Sequence, residues 1–114
     1  MEKYYNAKWQ HEKLTTITYG ELSFCLEHRS VEISGQEIDL TAKEFDILAL
    51  LILNPRRVFT YEMIIDTVWH EKLDFFSRKA ISNHISNIRR KIKVVPNVPE
   101  YIKSVHSVGY KFVP

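Results

Sequence analysis

The chain has one cysteine and only three glycines in its 114 residues. A single thiol closes no internal disulfide, so nothing in the sequence asks for an oxidising compartment. Cys25 falls in the polar register of an alternating segment, and no His or acid is tied to it by a motif. It is therefore expected to be a half-exposed structural residue and not a nucleophile. With so few glycines there is no phosphate-cradling loop. No Cys/His pair has metal spacing, and Ser82 and His84, two apart on a helical stretch, point in different directions and make no dyad. The expectation is a protein that is not an enzyme and needs no cofactor or metal. Long apolar runs are missing as well. The longest, Ile47 to Leu53, is far too short to cross a bilayer. The first ten residues are polar and aromatic, unlike a secretory signal. A cytoplasmic location is expected, with no membrane contact in this segment.

Acids are scarce in one region. Residues 77–114 hold eight Lys or Arg against Glu100 alone, a balance of +7, whereas residues 1–76 hold eight against thirteen acids, a balance of −5. The net charge of +2 thus hides a basic C-terminal third, the pattern a polyanion-binding face gives to an otherwise ordinary domain. At this length the chain forms one domain with room for a core.

The basic part centres on Ser77 to Lys93, which carries Arg78, Lys79, Arg89, Arg90, Lys91 and Lys93 and no acid. Ile81, Ile85, Ile88 and Ile92 fall at i, i+4, i+7 and i+11. At 100° per residue they lie within about 60° of one another, a narrow apolar stripe along a helix. Opposite lie Asn83, Ser86, Asn87 and Arg90, with Lys79 one turn earlier. Amides and guanidinium groups can bond base edges in a major groove, and cations neutralise phosphates. The plain alternative is a solvated amphipathic helix.

The rest of the chain supplies a scaffold. Residues 1–15 show no period and are expected to be a linker remnant or flexible arm, so the chain reads as a piece of something longer. Residues 16–114 form the domain. From Thr16 to Leu40 the period is two, with Leu22, Phe24, Leu26, Val31, Ile33, Ile38 and Leu40 alternating with polar residues. Turn signals between them predict three or four short antiparallel strands. Thr41 and Glu44 are placed as a capping box, with Leu40 and Phe45 as the hydrophobic staple around it. That helix should run to about Asn54, where Pro55 stops it, burying Phe45, Leu48, Leu51 and Ile52, with Ile47, Leu50 and Leu53 widening the face. Arg56 to Phe59 reads as an extended connector. Thr60 caps a second helix over about Tyr61–His70, packed through Ile64, Ile65, Val68 and Trp69. A loop over 71–76 shows Leu73, Phe75 and Phe76 as exposed-looking apolar residues. Tyr101–Val105 and Tyr110–Val113 flank a turn and predict a hairpin. The fold class is α+β: a winged helix-turn-helix with an N-terminal antiparallel sheet of three or four strands, a three-helix core and a C-terminal β-hairpin wing.

Several marks now stand in order: Leu40-Thr41-Ala42-Lys43-Glu44-Phe45, Asn54-Pro55, Val58-Phe59-Thr60, Val68-Trp69, His84 to Lys91, and Gly109-Tyr110-Lys111-Phe112. Together they resemble the C-terminal effector domain of OmpR/PhoB-type response regulators, over about residues 17–114. The resemblance implies an N-terminal antiparallel four-stranded sheet. It implies sequence-specific binding of double-stranded DNA, in direct repeats and as head-to-tail dimers. The third helix would lie in the major groove and the wing at the minor groove. It implies base contacts from Lys79, Asn83, Ser86 and Asn87. Phosphate contacts would come from Trp69, Arg78, Arg89, Arg90 and Lys91. The wing would act through His106, Ser107, Tyr110 and Lys111. It also implies a phosphorylated receiver domain in the full-length protein, and an RNA polymerase contact through Leu73, Phe75 and Phe76. His84 is expected to be a helix-packing histidine.

The chain departs from the family's usual pattern in places. Ser86 and Asn87 stand where Arg is frequent, which leans the expected site toward A·T, since Asn bonds adenine bidentately. Ser82 replaces a usual acid, Tyr61 a usual phosphate-contacting Arg, and His106-Ser107 a usual Arg-Gly, which makes the wing a weaker, pH-dependent reader. Two other readings fit the same pattern: a winged helix used as a protein-interaction module, and the DNA-binding domain of a membrane-linked one-component regulator.

Overall fold

The structure, a computed structural model, describes residues 13–114. Most of the expected arm over 1–15 lies outside the described residues. Four short strands come first: β1 (Thr16–Tyr19), β2 (Leu22–Cys25), β3 (Ser30–Ile33) and β4 (Gln36–Glu37), an antiparallel sheet in that order. Leu22, Phe24, Val31 and Ile33 point from it into the core. Leu26, expected to continue the alternation, lies just past the end of β2 and is half-buried. Cys25 corrects the sequence reading. It is only 8% exposed, because its small side chain sits under neighbours on the outer face, among Thr16, His28 and Ser30.

Helix α1 (Ala42–Ile52) begins where the capping box was read: the Glu44 N–H donates to Thr41 Oγ1, and the Thr41 N–H donates to Glu44 Oε1. Phe45, Ile47, Leu48, Leu51 and Ile52 are buried, while of the residues expected to widen that face Leu50 is half-buried and Leu53 is 37% exposed at the helix end. Phe45 stacks on Phe24 at 5.3 Å between ring centroids, which fixes α1 to the sheet.

The connector is more than a connector. Phe59–Thr60 forms β5, which pairs with the wing. Thr60 then caps α2 (Tyr61–Ile64), accepting from the Met63 N–H at 3.1 Å. The expected single helix to His70 gives way to a π-helical turn over Ile65–Trp69, and His70 closes it in the left-handed region at φ 57°. Ile64, Ile65, Thr67 and Val68 are four β-branched side chains in five positions, which crowd a tight α-helical turn. Lys43 donates to the Val68 carbonyl at 3.0 Å, satisfying an acceptor that the helix end leaves open.

Helix α3 (Ser77–Ile92) buries Ile81, Ile85, Ile88 and Ile92, each at most 1% exposed, as the stripe predicted. Its start is held by a cap the sequence reading missed. Asp74 Oδ1 accepts from the Phe76 and Ser77 N–H groups and the Ser77 hydroxyl, while the Asp74 N–H donates to Ser77 Oγ.

The wing is β6 (Ile102–Val105) and β7 (Gly109–Phe112), and with β5 it forms a three-stranded sheet in the order β5-β7-β6. Gly109 allows this. A Cβ built there would lie 1.9 Å from the Phe59 carbonyl oxygen, so only glycine lets β5 and β7 approach.

Candidate nucleic-acid interface

The outward face of α3 carries Lys79, Asn83, Ser86 and Arg90, all exposed, with Asn87 half-buried at its edge. The spacing 79, 83, 86, 90 keeps these side chains in one row because the isoleucine stripe turns the other side of the helix inward. The row is therefore assembled by the fold as the sequence suggested. Arg90 Nη2 donates to Asn87 Oδ1 at 3.0 Å, coupling two of its members.

The cations behave less uniformly. The stretch 77–93 contains no acid, but the fold brings two acids to it. Lys91 Nζ lies 2.7 Å from Oε1 of Glu44, which is 2% exposed. Burial pushes the Glu44 carboxyl up, but Lys91 and the Thr41 N–H outweigh it and hold it below its ordinary value. Glu100 takes Arg89 at 3.2 Å and also Lys93. Lys93 and Arg89 in turn hold the Glu100 carboxyl low against its partial burial. Arg89 further donates through Nη2 to the Ile102 carbonyl and to Ser104 Oγ, both at 2.9 Å. Arg89 and Lys91, expected at phosphates, are thus committed to internal partners: Lys91 ties α3 to α1, and Arg89 ties α3 to the wing. Arg78, Lys79 and Arg90 form no ion pair among the described residues. Arg78 lies over the Tyr61 ring at 4.8 Å.

Tyr110, expected as a wing contact, is 5% exposed. Its hydroxyl lies 3.1 Å from Ser82 Oγ and 3.4 Å from the Tyr61 hydroxyl, joining wing, α3 and α2. Burial, with Tyr61 beside it, pushes its phenol up against the opposing pull of Ser82 and Arg89. Ser82, which stands where the family has an acid, makes this bond instead of a charge pairing. Lys111 pairs across from Lys103 on the opposite face of the hairpin from Tyr110 and Phe112, so it faces away from α3. His106 and Ser107 form the exposed turn, with Ser107 in the left-handed region at φ 61°. Ser107 borders the same hollow as Arg78, Tyr61 and Thr60, so the wing turn and the start of α3 share one surface.

Trp69 is half-buried and tilts against His84 at 5.5 Å, with Lys43 Nζ 5.4 Å from its ring. His84 packs there as expected, although its Nδ1 is buried without a hydrogen-bond partner among the described residues. Of the three apolar loop residues, Phe75 and Phe76 are 90% and 73% exposed and meet edge to face at 5.2 Å. Leu73 instead packs against the core.

A helix pair whose second member shows an acid-free row of amide, hydroxyl and cationic groups, flanked by a hairpin, defines a winged-helix output domain of the transcription-regulator class. Comparison with known proteins agrees. The family described as transcriptional regulatory protein, C terminal, matches residues 35–112. The chain belongs to this family, and its domain is of the OmpR/PhoB type. The DNA-binding domain of CpxR from Escherichia coli superposes with a TM-score of 0.77 at 29% identity, covering 87% of this chain and 96% of that one. The RstA DNA-binding domain of Klebsiella pneumoniae, solved in complex with the RstA box, gives 0.76 at 25% identity over 87% and 97%. An uncharacterised transcriptional regulatory protein of Bacillus subtilis, YcbL, is 36% identical over 95 residues, 83% of this chain and 42% of its own length. The chain therefore spans less than half of that relative. No helix among the described residues is long and apolar enough to cross a membrane.

Proposed function

We propose that this domain binds double-stranded DNA sequence-specifically as the output domain of a cytoplasmic two-component response regulator. In this reading α3 lies in the major groove and the His106-Ser107 turn meets the adjacent minor groove. The observation that carries it is the exposed row Lys79, Asn83, Ser86 and Arg90 with Asn87, polar and cationic throughout and free of acids. Such a row matches base-edge acceptors and donors beneath flanking phosphates. Phosphate contacts fall to Arg78, to Arg90 and to the indole N–H of Trp69. Arg89 and Lys91 support the site from behind. The solved RstA complex with its box supports this reading by analogy of fold.

A receiver domain would lie in the remainder of the full-length protein, and its phosphorylation would favour head-to-tail pairing on direct repeats. The exposed Phe75–Phe76 pair, on the loop before α3, would meet RNA polymerase. The test is a salt titration of binding to a random-sequence duplex library, followed by sequencing of the retained fraction. The reading expects steep salt dependence, about 0.9 log units of affinity per log unit of salt for each phosphate neutralised, and an enriched direct repeat. Absence of binding at low salt would instead favour a protein-interaction module.

A further inference from the structure

Arg78 stands second on α3 and is exposed. It forms no ion pair among the described residues, and its guanidinium carbon lies over the Tyr61 ring, 4.8 Å from the ring centre. That ring is half-buried and fixed from several sides. It meets the Tyr110 ring edge to face at 5.6 Å. Its hydroxyl lies 3.4 Å from the Tyr110 hydroxyl, which in turn lies 3.1 Å from Ser82 Oγ. The Tyr61 N–H donates to the Val108 carbonyl at 3.4 Å, so the backbone beneath the ring is tied to the wing. Wing, α2 and α3 converge on one aromatic side chain, and the guanidinium rests against it.

A contact with an aromatic face uses the charge of an arginine and leaves its N–H fork to other partners, of which phosphate is a good match. The setting also holds a competitor. Glu62 is exposed and borders the same hollow as Tyr61, Arg78, Ser107 and Val108, yet Arg78 does not pair with it. An arginine without the ring would be drawn to that carboxylate part of the time, and would lose rotamer freedom on meeting a phosphate. On the ring it is already ordered and kept off the acid, which lowers the cost of binding. We propose that Tyr61 is a positioning residue for DNA binding: its ring holds the Arg78 guanidinium between the wing turn and the start of α3, ready for the phosphates of the DNA strand between the two grooves. This rests on the DNA-binding reading above. Tyr61 acts through Arg78, and so takes part in a phosphate contact although it stands in place of a cationic residue.

The test uses the 114-residue chain and the variants Tyr61→Phe, Tyr61→Leu, Arg78→Ala and Tyr61→Leu combined with Arg78→Ala. Each is titrated, at several salt concentrations, with the duplex that the unsubstituted chain selects. Arg78→Ala should weaken binding and lower the salt slope by about 0.9, the loss of one phosphate contact. Tyr61→Phe keeps the ring and should keep affinity and slope. Tyr61→Leu removes the ring and should weaken binding about threefold, the range of an exposed cation–ring contact. In the Arg78→Ala background the same replacement should change nothing further, since the ring acts through the guanidinium. The free chain gives an independent reading. The Tyr61 ring current should move the Arg78 δ protons upfield in nuclear magnetic resonance spectra, in Tyr61→Phe as well, and the shift should vanish in Tyr61→Leu. Arg78 signals at their ordinary position in the unsubstituted chain would overturn the stack. The proposal is also overturned if Tyr61→Leu weakens binding equally with and without Arg78, the mark of a structural role. It fails too if Tyr61→Phe loses as much as Tyr61→Leu, which assigns the effect to the hydroxyl, or if Arg78→Ala leaves the slope unchanged. In these cases sequence-specific binding survives. Failure of the unsubstituted chain to retain any duplex would overturn the DNA-binding reading and this proposal with it, while the upfield shift still reports the stack. Thermal unfolding of each variant separates these results from loss of fold.

Discussion

Replacing Gly109 by alanine should cost far more than the same methyl at Gly20 or Gly35. The added Cβ would lie 1.9 Å from the Phe59 carbonyl oxygen and 2.8 Å from both the Phe59 carbonyl carbon and Thr60 Cα. All three are backbone atoms, so no rotamer change relieves the contact. β5 must move, breaking the pairing of Phe59 with Tyr110 and of Thr60 with Gly109. The Tyr61 N–H to Val108 carbonyl bond, already 3.4 Å, goes with it. Two to three backbone hydrogen bonds at about 1 kcal/mol each, plus the overpacking strain that strand displacement leaves unrelieved, give a loss of about 3 kcal/mol. That is a large part of the stability of a small domain and should lower the thermal midpoint by roughly 10 °C. Gly35→Ala is the control. Gly35 is left-handed at φ +78° but has nothing within 4 Å, so only the conformational cost of about 1 kcal/mol applies. Urea unfolding of both variants followed by circular dichroism decides it. Equal losses would refute the close-approach argument, and with it the view that β5 anchors the wing.

Other perturbations separate internal cations from outward ones. Lys91→Ala leaves a buried carboxylate with fewer partners and should cost about 2 kcal/mol, less than a fully buried pair because Lys91 is partly solvated. The Glu44 carboxyl is held below its ordinary 4.5 in the fold, so its stabilising contribution is present above that value and is lost as pH falls through the folded value. The variant, with that carboxyl no longer held down by Lys91, should lose stability at a higher pH in acid titrations of unfolding. Arg89→Ala should speed amide hydrogen exchange across Ile102–Val105 while lowering the salt slope of DNA binding by much less than the ~0.9 of a phosphate contact. Phe75→Ser with Phe76→Ser should leave unfolding within about 0.5 kcal/mol and DNA affinity unchanged, because both rings are exposed, yet abolish activated transcription with purified polymerase. Activation at the original level would remove the polymerase role from this loop.

What the sequence disclosed was periodic or local. The isoleucine stripe of α3, the Thr41–Glu44 capping box and the alternation of β2 and β3 each follow from spacing, and each is present. The outward row of α3 was legible for the same reason, since a helix whose stripe is known has its opposite face fixed. What escaped depended on residues far apart in the chain. No local signal says that Glu44 will bury itself against Lys91, 47 residues on, or that Glu100 will take Arg89. Counting charges along the segment therefore overstated the cations available to a ligand. Tyr110 was misplaced similarly: Gly109-Tyr110 marked the wing, but only the pairing of β5 with β7 turns the ring inward onto Tyr61 and Ser82. The Asp74–Ser77 cap has a local form, an Asp followed three residues later by a partner able to bond back, but two exposed phenylalanines stand between them and make the stretch read as loop. The π-helical turn before His70 has only a run of β-branched residues to announce it.

The most direct test of the account is to titrate the isotope-labelled chain with its selected duplex and follow backbone and side-chain amide signals by nuclear magnetic resonance. The account predicts the largest changes at Lys79, Asn83, Ser86, Asn87 and Arg90, and at His106 and Ser107. Phe75, Phe76 and the outer face of the four-stranded sheet should stay still. Changes concentrated on that sheet or on the Phe75–Phe76 loop, with the row of α3 unmoved, would contradict the placement of α3 in the major groove.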